Sequence, residues 1–243
     1  MELSFHNSEF EREVRERLNI FDCAITGADA QNVTELDLTN FDFEDEDIDT
    51  LLQFKNLKVL AIETITKDFL FWKHFPKIEE LYWLVWGGPV DFSVFSIMTK
   101  LSRLTVSGGD YSSIAFENLE ALVPLKKLKH LELHEFGPVD LAPLEAMKQL
   151  KSLAVRYSHE VKSIATIGTM VQLQKLTLDG LAVDNLDFLD TLADNIELKM
   201  CGIQIPSREA VNIEKWKRFT NSDICEIAIN GPWEYLDLSA LND

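Results

Sequence analysis

Residues 137–155 read Gly-Pro-Val-Asp-Leu-Ala-Pro-Leu-Glu-Ala-Met-Lys-Gln-Leu-Lys-Ser-Leu-Ala-Val, and the last six carry the signal that decides the fold. Leu150, Leu153 and Val155 form an apolar-x-x-apolar-x-apolar triplet. The same triplet stands at Val33/Leu36/Leu38, Leu57/Leu60/Ile62, Ile78/Leu81/Trp83, Leu101/Leu104/Val106, Leu128/Leu131/Leu133 and Leu173/Leu176/Leu178. Successive starts are 24, 21, 23, 27, 22 and 23 residues apart. A period in the range of roughly 20–50 residues marks stacked supersecondary units. Ala193/Ile196/Leu198 and Ile224/Ile227/Ile229 fit less regularly and read as a degenerate repeat and a terminal cap.

A short strand alternates its side chains, so Leu36 and Leu38 point inward while Glu35, Asp37 and Thr39 point out. One such unit cannot bury its apolar row alone; parallel stacking turns the strands into one sheet and the inward leucines into one core. The segments 139–147 and 183–192 carry apolar residues three or four apart and are expected to return along the other side as short helical or 3₁₀ turns. With these features, residues 137–155 resemble the bacterial leucine-rich repeat of the internalin type, and the similarity extends over about residues 33–200. The resemblance implies an α/β solenoid with a parallel concave β-sheet. Members of that family usually place an Asn ladder just after the strand; here Phe41, Ile65, Trp86, Phe136 and Leu181 stand there, so apolar packing is expected to replace it.

Both ends read as caps on one domain spanning residues 1–243. Residues 1–32 form an N-terminal helical cap, 33–200 seven to eight repeats, and 201–243 a C-terminal cap. Ser8-Glu-Phe-Glu11 matches a capping box, and Phe10, Val14 and Leu18 follow at helical spacing, which predicts a helix over 9–18. Internalin-like proteins also tend to begin with a helical cap. Pro206-Ser207 predicts a helix over Arg208–Phe219, and Ile224–Ile229 and Tyr235–Leu238 read as closing strands.

Composition narrows the function. The chain of 243 residues has 41 Asp plus Glu against 23 Lys plus Arg, a net charge of −18, with 46% hydrophobic residues. A strongly acidic chain repels phosphate backbones, so nucleic-acid binding is not expected. The longest apolar run, Tyr82–Val90, is too short for a membrane span. The N-terminus has no basic and apolar leader pattern, and Cys23, Cys201 and Cys225 are odd in number and widely spaced. These features point to a reducing, cytoplasmic setting without a disulfide framework.

Chemistry-bearing clusters are sparse. His130, Glu132 and His134 would share the concave side of one strand, but at about 3.3 Å per residue the histidines are roughly 13 Å apart, too far to ligate one metal. The run Asp42-Phe-Glu44-Asp45-Glu46-Asp47-Ile-Asp49 is oxygen-rich but lacks the glycine and ligand order of a calcium loop, and reads as a solvated convex loop. No phosphate-cradling glycine motif and no nucleophile signature is present in the sequence. Neither cofactor nor metal is therefore expected, and the chain reads as non-enzymatic.

The outward strand positions are the candidate surface: Glu35, Asp37, Val59, Glu63, Glu80, Tyr82, Leu84, Arg103, His130, Glu132, His134 and Arg156, with Trp86 at a strand edge. Trp86 also occupies the position at which other repeats place an inward apolar residue, so core packing competes with exposure there. Residues 1–63 hold 16 acidic and 5 basic residues, a net −11 of the total −18. The expectation is a concave face that binds a basic protein partner, in concrete form a bacterial toxin inhibitor or immunity protein. An internalin-like surface adhesin or host-directed effector is the alternative that the resemblance implies.

Overall fold

Each triplet becomes a strand in the computed structural model of the chain, which describes residues 2–39, 43–64, 69–109, 114–158, 161–206, 213–229, 234–236, 238 and 241. Nine parallel strands follow one another in chain order: β1 (Glu35–Leu38), β2 (Val59–Thr64), β3 (Glu80–Val85), β4 (Arg103–Gly108), β5 (His130–Phe136), β6 (Ser152–Ser158), β7 (Lys175–Leu181), β8 (Glu197–Cys201) and β9 (Ser222–Ile224). Registers are aligned from repeat to repeat: Leu36, Leu60, Leu81, Leu104, Leu131, Leu153, Leu176 and Leu198 form one inward row across β1 to β8. All eight are buried, and each full burial contributes about 2 kcal/mol of transfer free energy. This is the α/β leucine-rich repeat solenoid expected from the triplet.

The returning segments form 3₁₀ turns, among them Phe92–Phe95, Ala142–Ala146, Ile164–Thr169 and Asp187–Thr191. They lay Phe95, Leu144, Ile167 and Leu189 against the back of the sheet. In the second and third repeats that layer is aromatic. Trp72 packs edge-on to Trp83 at 5.3 Å between centroids, and Trp83 to Phe95 at 5.9 Å. The Trp83 indole donates to the Thr64 hydroxyl at 2.9 Å, which satisfies its only polar atom inside the core.

Helix α1 (Ser8–Leu18) covers the open end of the first repeat with Phe10 and Val14. Its N-cap is Asn7, not the Ser8 of the expected capping box: the Asn7 carboxamide oxygen accepts from the amides of Glu9 and Phe10 at 2.9 and 3.1 Å. Asn caps as well as Ser and stands one residue earlier, so Ser8 becomes the first helical residue. The acidic run differs more. Asp45–Leu51 is a helix, α3, following a short α2 (Gly27–Ala30), because three carboxylates in its first turn suit the positive helix end and Leu51 packs inward. Asp47 is fully buried and accepts the amides of Asn7 and Glu44 at 3.1 and 3.2 Å, which ties the cap to the first repeat. Asp42 lies outside the described residues.

Toward the C-terminus the expected registers slip. Leu198 and Met200 occupy the rows of Leu176 and Leu178, two residues later in the pattern than the triplet Ala193/Ile196/Leu198 implies. Ile224 pairs with Met200 in the main sheet, whereas Ile227–Ile229 pairs with Ile203–Ile205 in a second, two-stranded sheet. Of the helix expected over Arg208–Phe219, the described part is a 3₁₀ turn, Ile213–Arg218. There the Arg218 guanidinium reaches back to the Leu192 carbonyl at 2.8 Å and to Asp194. Ser207, Arg208 and Asp237 lie outside the described residues, and Tyr235 makes one antiparallel bridge to Ala228.

A conformational device at the strand ends decides which residues follow the expected ladder. Glu135, Tyr157, Gly180 and Gly202 have φ of 52°, 55°, 59° and 61°. This left-handed residue interrupts the alternation, so the next side chain, Phe136, Ser158, Leu181 or Ile203, turns inward and is buried. Ser158 was not foreseen in that row; its hydroxyl donates to the Gly137 carbonyl at 3.1 Å. Phe41 and Ile65 lie outside the described residues. No positive φ occurs at the end of β3, so Val85 stays inward and Trp86 stays out.

Candidate functional site

The concave face consists of three outward rows fixed by the strand registers. One runs Glu35, Val59, Glu80, Arg103, His130, Ser152; a second runs Asp37, Ala61, Tyr82, Thr105, Glu132, Ala154; a third runs Glu63, Leu84, Ser107, His134, Arg156, Asp179. Every candidate strand residue thus stands on this face, and Trp86 stands at its rim. Thr105, Ser107, Ala154 and Thr177 also face outward but are buried, because larger neighbours close over them.

In the N-terminal half, Tyr82 is 39% exposed and Trp86 46%. A shallow cavity of about 160 Å³ is lined by Val59, Ala61, Glu80, Tyr82, Arg103 and Thr105. The Trp86 ring lies over Gly109, where an added Cβ would meet its Cδ2 at 2.2 Å, and its indole donates to Glu63 Oε1 at 2.6 Å. Charges around the cavity are paired in part. Arg17, reaching over from α1, approaches Glu13 at 2.8 Å and Glu35 at 3.4 Å; Arg103 stands 3.6 Å from Glu80. Glu13 also approaches the Asp37 amide at 3.4 Å, so the cap helix contributes to the face. Partial burial, and then Glu135, Glu63 and Asp37, push the Tyr82 phenol above its ordinary pKa, which keeps it a neutral donor.

The centre of the face is cationic and acidic together. His134 Nε2 lies 3.3 Å from Glu132 Oε2 without the alignment of a hydrogen bond. His134, and more weakly Arg156 and Arg103, hold the Glu132 carboxyl below its usual range against the opposing effect of burial. Burial and Arg103 lower His130, so its imidazole is mainly neutral at pH 7. Asp179 accepts the Tyr157 hydroxyl at 3.1 Å. Neither residue was among the expected site positions; Tyr157 is brought onto the face by its left-handed backbone.

The cysteines overturn another expectation. Cys201 and Cys225 form a disulfide with Cα atoms 4.9 Å apart, and Cys23 is free and exposed. Their separation of 24 residues is one repeat, which places equivalent positions on neighbouring strands. Among the described residues, no helix is long and apolar enough to cross a membrane.

Fold and face together define a leucine-rich repeat solenoid, whose parallel sheet presents aligned rows of outward side chains on one face. No protein-family model and no curated protein matches the sequence. Solved structures do: internalin C2 of Listeria monocytogenes is similar over 93% of this chain and 94% of its own, at 19% identity and a TM-score of 0.67. A leucine-rich repeat protein of Leptospira interrogans is similar over 83% of this chain and 50% of its own, at 18% identity and a TM-score of 0.60. The ectodomain of the Arabidopsis thaliana receptor kinase GASSHO1/SCHENGEN3, solved in complex with CASPARIAN STRIP INTEGRITY FACTOR 2, matches 84% of this chain and 26% of its own, at 12% identity and a TM-score of 0.57. The chain therefore has the internalin-like leucine-rich repeat fold.

Proposed function

We propose that the protein is a non-enzymatic interaction module whose concave face binds a protein partner bearing basic side chains. The observation that carries this reading is the pair of exposed aromatics, Tyr82 and Trp86, on a face whose outward rows also carry Glu35, Asp37, Glu63 and Glu80, with Tyr82 and Glu80 lining its shallow cavity. Such rings supply large buried area at low entropic cost, and residues of this kind contribute about 2 kcal/mol or more each when they act as hot spots. The carboxylates, backed by a net charge of −18, would steer a basic surface to that end. A cytoplasmic inhibitor or immunity protein covering the basic cleft of a toxin is the concrete form that this charge favours. The test is capture of the partner from the source cells, at low and high salt, by wild type and by a variant combining Glu35→Gln, Asp37→Asn, Glu80→Gln and Tyr82→Ala. Loss of the same partner in the variant and at high salt is expected; undiminished capture by the variant refutes the concave-face reading.

A second reading, an exported adhesin or host-directed effector, is favoured by the Cys201–Cys225 disulfide, because disulfides persist in oxidising compartments. Thiol trapping in intact cells separates the two: a fully reduced pair favours the cytoplasmic inhibitor, an oxidised pair the exported protein.

A further inference from the structure

Small outward residues leave a hollow in the N-terminal half of the concave face. Tyr82 of β3 stands in register between Ala61 of β2 and Thr105 of β4, so its ring has no bulky neighbour on either side in its own row. Outward side chains on adjacent strands start about 5 Å apart, a gap that an alanine methyl cannot fill beside a ring. Ala154 of the same row is equally small, but its neighbours close over it to 4% exposure, whereas Val59 and Ala61 stay half-buried. The space left is the cavity of about 160 Å³ over Val59, Ala61, Glu80, Tyr82, Arg103 and Thr105. A second molecule can reach it, because Tyr82, Glu80 and Arg103 on its walls are all exposed.

The charges of this hollow oppose one another. Glu80 and Arg103 are the charged residues that line it, and they stand 3.6 Å apart. An entering cation meets Arg103 and an entering anion meets Glu80, so the occupant that neither repels is neutral and apolar. Just outside, the balance changes. On β1, Glu35 is the register neighbour of Val59 and Asp37 of Ala61, and Glu63 stands two residues beyond Ala61 on β2. Arg17 approaches Glu35 at 3.4 Å, and one guanidinium against three carboxylates leaves this border negative. We propose that the hollow receives one phenylalanine ring of the protein partner, flanked in the partner by basic residues that meet Glu35, Asp37 and Glu63. Size selects the ring, since an apolar cavity of about 150 Å³ is enough to hold benzene. Tyr82 adds an aromatic wall for edge-to-face or offset contact. The proposal rests on the reading that this face binds a protein, and names what the partner inserts there.

The test needs no partner. The full chain is titrated with three acetylated and amidated tripeptides, Lys-Phe-Lys, Lys-Ala-Lys and Glu-Phe-Glu, while the Val59 and Ala61 methyl signals and the Tyr82 ring signals are followed by NMR. Lys-Phe-Lys is expected to move them saturably with a Kd of about 1–50 mM, and each of the other two to bind about ten-fold more weakly. Ala61→Phe fills the hollow from within and is expected to weaken Lys-Phe-Lys about ten-fold or more at an unchanged urea midpoint; Ala61→Leu, a smaller change at the same outward position, guards against misfolding of the first variant. No saturable shift with Lys-Phe-Lys, or undiminished binding by a folded Ala61 variant, overturns the subsite. Lys-Ala-Lys binding as tightly as Lys-Phe-Lys overturns the aromatic occupant, and Glu-Phe-Glu doing so overturns the basic flanks. Because the tripeptides stand apart from any natural partner, a flat titration overturns this subsite alone; the concave-face reading stands or falls on its own capture assay.

Discussion

Gly109→Ala isolates the exposed Trp86 ring without touching the tryptophan. A Cβ on Gly109 would lie 2.2, 2.4 and 2.5 Å from Cδ2, Cε3 and Cε2 of that ring, three atoms of one face at once. Carbon atoms pack at about 3.5–4.0 Å, so the ring must lift by more than about 1 Å, and a half-exposed side chain can swing outward to do so. Lifting it forfeits the bond from the indole N–H to Glu63 Oε1, now 2.6 Å long, and the apolar area pressed on the glycine. A hydrogen bond to a charged group contributes about 1.5–3 kcal/mol, discounted here because water replaces it at an exposed site. Uncovering roughly 40 Å² of ring adds about 1 kcal/mol. The expected destabilisation is about 1–2 kcal/mol with the repeats intact, read by urea unfolding. The Trp86 indole N–H resonance should move toward its solvent-exposed position, and Glu63→Gln should reproduce part of that shift. An unmoved indole signal with unchanged stability in Gly109→Ala would refute the placement of the ring, and with it the role of Trp86 as a preorganised anchor.

Gly108→Ala should cost about 3 kcal/mol or more and lower the unfolding midpoint sharply, because its Cβ would stand 2.1 Å from the Glu135 carbonyl, backbone against backbone in adjacent strands. Asp47→Ala should cost about 2–4 kcal/mol in chemical denaturation, since two amides lose their buried acceptor, while Asp47→Asn keeps one and costs less. The folded-state pKa of Glu132 is depressed, so its contribution is present above the unfolded value of about 4.3 and is lost as pH falls through the folded one. His134→Gln should therefore flatten the acid limb of stability below about pH 4.3 and leave the profile above pH 7 unchanged, as measured by thermal unfolding across pH.

Repeat spacing made the solenoid legible, since an inward row needs only a fixed period and a strand needs only alternation. Its failures share one cause. Apolar triplets report which side chains are inward, but not which sheet they line, so Ile227 and Ile229 were read into the main sheet although they pair with Ile203 and Ile205. The same parity hides a slip of two residues, which is why Leu198 is buried as expected yet stands in the wrong row. The ladder position depended on a backbone conformation rather than a residue type. Gly180 and Gly202 hint at it, but Glu135 and Tyr157 adopt it without the glycine that would announce it.

This division between rows also explains why the face is the informative part of the molecule. Inward positions are constrained by both neighbouring repeats, so they converge on leucine and say little beyond the fold. Outward positions carry no such constraint, and a structural account of them is complete only where each charge has found a partner within the chain. Glu80 has Arg103, Glu35 has Arg17 and Glu197 has Lys175. Stability alone would not select the buried Arg156 Nε, which has no hydrogen-bond partner among the described residues, because an apolar group there removes the cost of burying it. Arg156 therefore marks the place on this face where contacts among the described residues account least for the side chain.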